Sequence, residues 1–84
     1  MSYTTDAQKM AAKYLNGSVP FANDLQRAML QARQRTGDWS LSSQMAGNLT
    51  QLCKVTYPNG NMGKVENIGV PMTAAAAAAY LDAL

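Results

Sequence analysis

Apolar positions recur at helical spacing along most of this chain. Met10 and Tyr14 lie one turn apart within 7–15, with Thr4, Thr5 and Asp6 ahead of them as capping oxygens. That pattern predicts a first short helix, ended by Asn16-Gly17, both of which tolerate left-handed backbone angles. Ser18-Val19-Pro20 then sets up a second helix over about 20–35. Along it Phe21, Leu25, Ala28, Met29 and Ala32 form one stripe, while Gln26, Arg27, Gln31 and Arg33 take the other faces. Thr36-Gly37-Asp38 breaks the pattern, and Ser40 offers an N-cap for a third helix from Leu41 onward. Its stripe is Leu41, Met45, Leu49 and Leu52, with Gly47 as an internal weak point costing about 1 kcal/mol relative to Ala.

After Lys54 the texture changes. Val55-Thr56-Tyr57 and Met62-Gly63-Lys64-Val65 flank Pro58-Asn59-Gly60-Asn61, which predicts a β-hairpin over about 55–65. Two strands alone are marginal in water, so this hairpin must lean on the helices or on another chain. Asn67-Ile68-Gly69-Val70-Pro71 reads as a connector, and Thr73 as the cap of an Ala-rich last helix over about 73–84. That helix carries Asp82 at the end where the helix dipole disfavours negative charge, so packing must hold it. The expected fold class is therefore mainly α: one small domain of about four short helices, with a β-hairpin between the third and the fourth.

Composition sharpens this picture. The 84 residues predict a single domain, and of the 40 hydrophobic ones 14 are Ala and 6 are Met, leaving only 14 Leu, Ile, Val and Phe. So thin a core suggests that self-association or a partner supplies part of the stability. A net charge of +2 lacks the density of an electrostatic nucleic-acid binder. The absence of histidine removes the commonest general base and the commonest metal ligand together, which argues against an enzyme. A single cysteine, Cys53, cannot form an internal disulfide, so a reducing compartment is expected: the cytoplasm, of the host if the chain is phage-encoded. The opening Met1-Ser2-Tyr3-Thr4-Thr5-Asp6 lacks the basic and apolar regions of an export signal, and no stretch approaches the ~20 apolar residues of a membrane span.

The chemistry-bearing motifs are incomplete. Gly60-Asn61-Met62-Gly63-Lys64 has two residues between its glycines where a phosphate-binding P-loop has four, and Val65 stands where the P-loop has Ser or Thr. The same Gly-x-x-Gly resembles the backbone-clamping loop of KH domains, but it joins expected strands rather than helices. Cys53 has no base to activate it, and Ser40, Ser42 and Ser43 have none either. Asp6, Asp24, Asp38, Glu66 and Asp82 are dispersed, without calcium-loop or paired-carboxylate spacing. No catalytic residue, cofactor or metal site is expected. Asn16-Gly17-Ser18 and Asn48-Leu49-Thr50 match a glycosylation acceptor by accident, given no export signal.

Two readings of function remain. The first is a non-catalytic protein-interaction module that binds and inhibits a host protein complex or self-assembles as a homo-oligomer. Its contact candidates are Trp39, Tyr57, Met62, Tyr80, Leu81 and Leu84, large apolar or aromatic side chains at turns or on the last helix. Short, motif-free chains of this texture resemble accessory proteins of phages and mobile elements. The alternative is a small DNA-binding regulator. The segment from Ala32 to Thr50, with its Met45-Ala46-x-x-Leu49 core, resembles the first half of a phage-repressor-type helix-turn-helix. That resemblance implies phosphate contacts from Arg33, Arg35 and Lys54, and base contacts from Gln44 or Gln51. The continuation, Gln51 to Pro58, is β-branched where that family carries its recognition helix.

Overall fold

The computed structural model of the chain describes residues 6–56 and 63–84. In chain order these form α1 (Asp6–Leu15), α2 (Asp24–Thr36), β1 (Leu41–Ala46), β2 (Leu49–Thr56), β3 (Lys64–Met72) and α3 (Ala74–Asp82). The strands make one antiparallel sheet in the order β1-β2-β3. This is an α+β fold, and it corrects the expectation of a mainly α chain with four helices.

The correction centres on residues 41–56. The expected third helix is a tight hairpin, with Ala46 paired to Leu49 across Gly47-Asn48 and Leu41 paired to Lys54 at the far end. Gly47 sits at φ +66°, the left-handed conformation that short hairpin turns require. Ser42, Ser43, Thr50, Val55 and Thr56 all disfavour a helix interior, through competing side-chain hydrogen bonds or β-branching. Leu41, Met45, Leu49 and Leu52 fit helical spacing only by coincidence, because Met45 is 74% exposed while Leu52 is buried. A helix-turn-helix therefore has no counterpart here, since its helices would have to occupy this hairpin.

The antiparallel pairing expected around 55–65 is present as Val55 with Val65 and Thr56 with Lys64, but as one end of a much longer ladder. The expected connector at 67–71 belongs to β3. Between Leu52–Ile68 and Thr50–Met72 the register slips, so β3 carries extra residues as a bulge in which Gly69 adopts φ +65°. A bulge interrupts the ladder and exposes carbonyls that need another donor. The Gln51 side-chain amide provides it, donating to the carbonyls of Leu52 at 2.7 Å, Ile68 at 3.1 Å and Gly69 at 3.4 Å.

Helix α2 starts later than Pro20 because Asn23 caps it. The Asn23 Oδ1 accepts the Gln26 N–H at 2.8 Å, and the Gln26 side chain reaches back to the Ala22 N–H. Gly37 at φ +72° closes the helix, its N–H donating to the Arg33 carbonyl. Thr73 caps α3 through its hydroxyl, which accepts the Ala76 N–H at 3.2 Å. Both helices lie on one face of the sheet. Ala28, Met29 and Ala32 of α2 meet Ala77, Ala78 and Leu81 of α3 over Leu41 and Leu52, with Leu25, Ile68 and Met72 at the margin. Alanines on both sides let the helices approach closely. Helix α1 packs against α2, and the Tyr14 and Phe21 rings stack 6.0 Å apart where the chain leaves it.

Candidate interaction surface

The two edges of the sheet differ. On β3, Lys64 and Glu66 pair at 2.9 Å, the bulge at Gly69 bends the strand, and Pro71 removes a donor. Each of these features discourages another strand from adding to an edge. On β1, Leu41-Ser42-Ser43-Gln44-Met45-Ala46 contains no charge, no proline and no bulge. The Ser40 carbonyl accepts the Val55 N–H at 2.8 Å, which fixes the alternation of hydrogen-bonded pairs along β1 and β2. By that alternation the backbone groups of Ser42 and Gln44 point to β2, and those of Leu41, Ser43 and Met45 point outward. The Leu41 carbonyl accepts from Arg33 Nε at 2.7 Å, and the Leu41 N–H donates to the Asp38 carbonyl at 3.4 Å. Ser43 and Met45 form the open part of this edge among the described residues.

Beside them lies a groove of about 330 Å³ between α2 and β1 with a mixed lining, apolar from Leu25, Met29 and Leu30 and polar from Asn23, Gln26, Arg33 and Ser43. Met45 shares the helix-bearing face of the sheet with Leu41 and Ser43, since side chains two apart on a strand point the same way. It is the most exposed of the large apolar side chains among the described residues. A strand edge next to a helix-walled groove is one geometry by which proteins take up an extended segment, backbone groups supplying affinity and the groove supplying side-chain selectivity. The sequence signal for it was present in the uncharged run Ser42-Ser43-Gln44 ahead of Gly47-Asn48, but helical spacing masked it by placing Met45 in a core stripe.

A second cavity, of about 550 Å³, opens between α1 and the C-terminal end of α2, where Ala12, Leu15 and Trp39 form the apolar wall and Gln8, Lys9 and Gln34 the polar one. Trp39 is half-buried there. Of the other expected protein contacts, Tyr80 and Leu84 are exposed, Leu81 is 1% exposed and belongs to the core, and Tyr57 and Met62 lie outside the described residues.

The residues considered for nucleic-acid contact do not converge. Arg33 turns toward the Leu41 carbonyl. Arg35 donates to the backbone oxygens of Leu81 at 2.7 Å and Leu84 at 3.0 Å, closing the C-terminal end of α3. Lys54 pairs with Asp38 at 3.1 Å. Gln51 is 7% exposed with its amide at the bulge, and Gln44 is exposed on β1. The Asp38 carboxyl is held below the usual carboxylate range, chiefly by the Ser40 hydroxyl that donates to it and then by Lys54. Cys53 is buried and its thiol is pushed up by that burial.

Among the described residues no three His, Cys, Asp or Glu side chains come together to hold a metal ion, and no helix is long and apolar enough to cross a membrane. Comparison of the chain with protein-family models, curated proteins and solved structures finds no match.

Proposed function

We propose that this chain is a non-catalytic protein-interaction module, working either as an inhibitor or adaptor on another protein or through copies of itself. The observation that carries this reading is the open backbone of Ser43 and Met45 beside the groove that α2 walls with Leu25, Met29 and Leu30. Such an edge is costly to leave bare in a small domain, because it templates pairing with other chains, and β3 carries the safeguards that β1 lacks. The core supports the same reading: alanine and methionine supply much of its apolar content, and Met45 and Val70 remain exposed. The lack of histidine and the scattered carboxylates favour binding over catalysis. A lone buried thiol suits a reducing compartment, so the cytoplasm is the proposed site of action, that of the host for a phage-encoded inhibitor.

The test is retention on the immobilised chain. Lysate of the cells in which the protein acts is passed over wild type and over Met45→Lys in parallel, and bound material is identified by mass spectrometry. The expected result is one protein, or the chain itself, retained by wild type and lost from Met45→Lys. A chain that is monomeric, fully stable alone and retains no protein overturns the reading. Nucleic acid retained with steep salt dependence would replace it.

A further inference from the structure

The β1 edge and the groove next to it are complementary to each other. Met45 projects as an exposed apolar side chain from the same strand that borders a groove in which Leu25, Met29 and Leu30 lie among polar side chains. A second copy of this chain supplies both halves at a matching register. We infer that β1 pairs antiparallel with β1 of a second copy about a twofold axis at Ser43, joining two three-stranded sheets into one of six strands.

The register follows from the hydrogen-bonding alternation. Ser43 presents its N–H and carbonyl outward, so two copies of Ser43 exchange both bonds across the axis. Two residues away, Met45 then lies opposite Leu41 of the second copy, on the helix-bearing face. The Met45 N–H meets a Leu41 carbonyl that already accepts from Arg33 and has a second lone pair, while the Leu41 N–H is held by the Asp38 carbonyl, so the Ser43 pair carries the register. The Met45 side chain thereby reaches the Arg33 end of the groove, against Met29 and Leu30.

Charge is complementary under the same symmetry. Helix α2 carries Asp24 in its first turn, paired with Arg27, and Arg33 in its last turn at the groove, while Arg35 turns away to the end of α3. A twofold axis normal to the sheet sets two copies of α2 antiparallel, with acidic N-terminal ends beside basic C-terminal ends and the helix dipoles opposed. A register in which the strands ran parallel would bring like ends together. The β3 edge offers no such match, because the Lys64–Glu66 pair, the bulge and Pro71 intervene.

This inference rests on the interaction-module reading and is separable from it. Sedimentation velocity over a concentration series reaching the near-millimolar range is run on wild type, Met45→Lys, Ser43→Pro and Val70→Lys. Ser43→Pro removes an outward N–H and leaves the bonds to β2 intact, and Met45 and Val70 are exposed, so circular dichroism should report the same fold in all four. The expected result is a concentration-dependent wild-type dimer, weakened about tenfold or more by Met45→Lys and by Ser43→Pro and unchanged by Val70→Lys. A wild-type chain monomeric throughout, or a dimer indifferent to both β1 changes, overturns the inference. A monomer that nevertheless retains a different protein through Met45 leaves the broader reading standing, whereas a monomer that retains none removes both.

Discussion

Arg27 of α2 holds Asp82 of α3 in a parallel fork, Nη1 to Oδ1 at 3.0 Å and Nη2 to Oδ2 at 2.9 Å, while its Nε donates to Asp24 at 2.8 Å. The fork explains how a carboxylate is tolerated at the C-terminal end of α3, where the dipole is unfavourable. With Arg35 on the backbone oxygens of Leu81 and Leu84, two arginines of α2 meet the negative end of α3. The pair raises the Arg27 guanidinium above its ordinary value, through Asp82 first and Asp24 second, and holds the Asp82 carboxyl below its own, through Arg27.

Acid should therefore loosen the helix pair. Asp82 titrates lower in the folded chain than in the unfolded one, so its contribution is present above the ordinary carboxylate range and is lost as pH falls through the depressed folded value. Asp38 and Glu66 have the same sign, lowered chiefly by Ser40 and by Lys64 respectively. Urea midpoints are expected to drop as pH is taken below roughly 5, and Asp82→Asn should flatten part of that slope while lowering the midpoint at neutral pH. Identical acid slopes in wild type and Asp82→Asn would show that the fork does not couple to folding.

The bulge in β3 gives a second test. Gln51→Leu keeps the size of the side chain and withdraws the donor from the carbonyls of Leu52, Ile68 and Gly69, in a site that is 7% exposed. Leaving buried acceptors unpaired costs about 1–3 kcal/mol. Chemical denaturation should register that loss, with faster amide exchange concentrated around 68–70. A variant as stable as wild type would mean that water replaces the amide there.

Much of the helical layer was legible in the sequence. Thr73 ahead of an alanine run, Asn16-Gly17 behind Tyr14-Leu15, and the stripe Leu25, Ala28, Met29, Ala32 each carry a local cause, a cap or a periodicity, that tertiary context left in place. Residues 41–56 were not legible in the same way, because four apolar side chains at helical spacing competed with weaker turn and β-branching signals. What decides between them is the pairing of β1 with β2 and of β2 with β3, long-range contact that no window of sequence contains. The open edge was hidden for the same reason: Met45 becomes a surface residue only once its segment is a strand. Gln51 likewise reads as an ordinary polar residue until the slip in register supplies its acceptors.

Thr73 should matter more than an exposed threonine usually does. Helix α3 spans Ala74–Asp82, too short to persist alone, and its hydroxyl cap satisfies one of the donors at its start. Thr73→Ala is expected to cost about 1 kcal/mol, and Thr73→Ser to restore most of it. Thermal melts of the three proteins decide this, since an unchanged melt in Thr73→Ala would assign the start of α3 to packing of Ala77 and Ala78 alone.

Cys53 reports on the central strand. It is fully buried in β2, outside the cluster formed with the two helices, and burial raises its thiol above the ordinary value. Because the folded value is the higher one, the neutral thiol's contribution is complete below the unfolded value and fades as pH rises above roughly 8.5. A thiol-reactive reagent should therefore leave the native chain unmodified at neutral pH, and the rate should rise with denaturant in step with opening of the sheet. Cys53→Ser places a hydroxyl in the same site and should cost about 1–3 kcal/mol. Rapid modification of the native chain with its circular dichroism intact would show that this part of β2 opens on its own, and would make the sheet, rather than the helix pair, the weakest part of the fold.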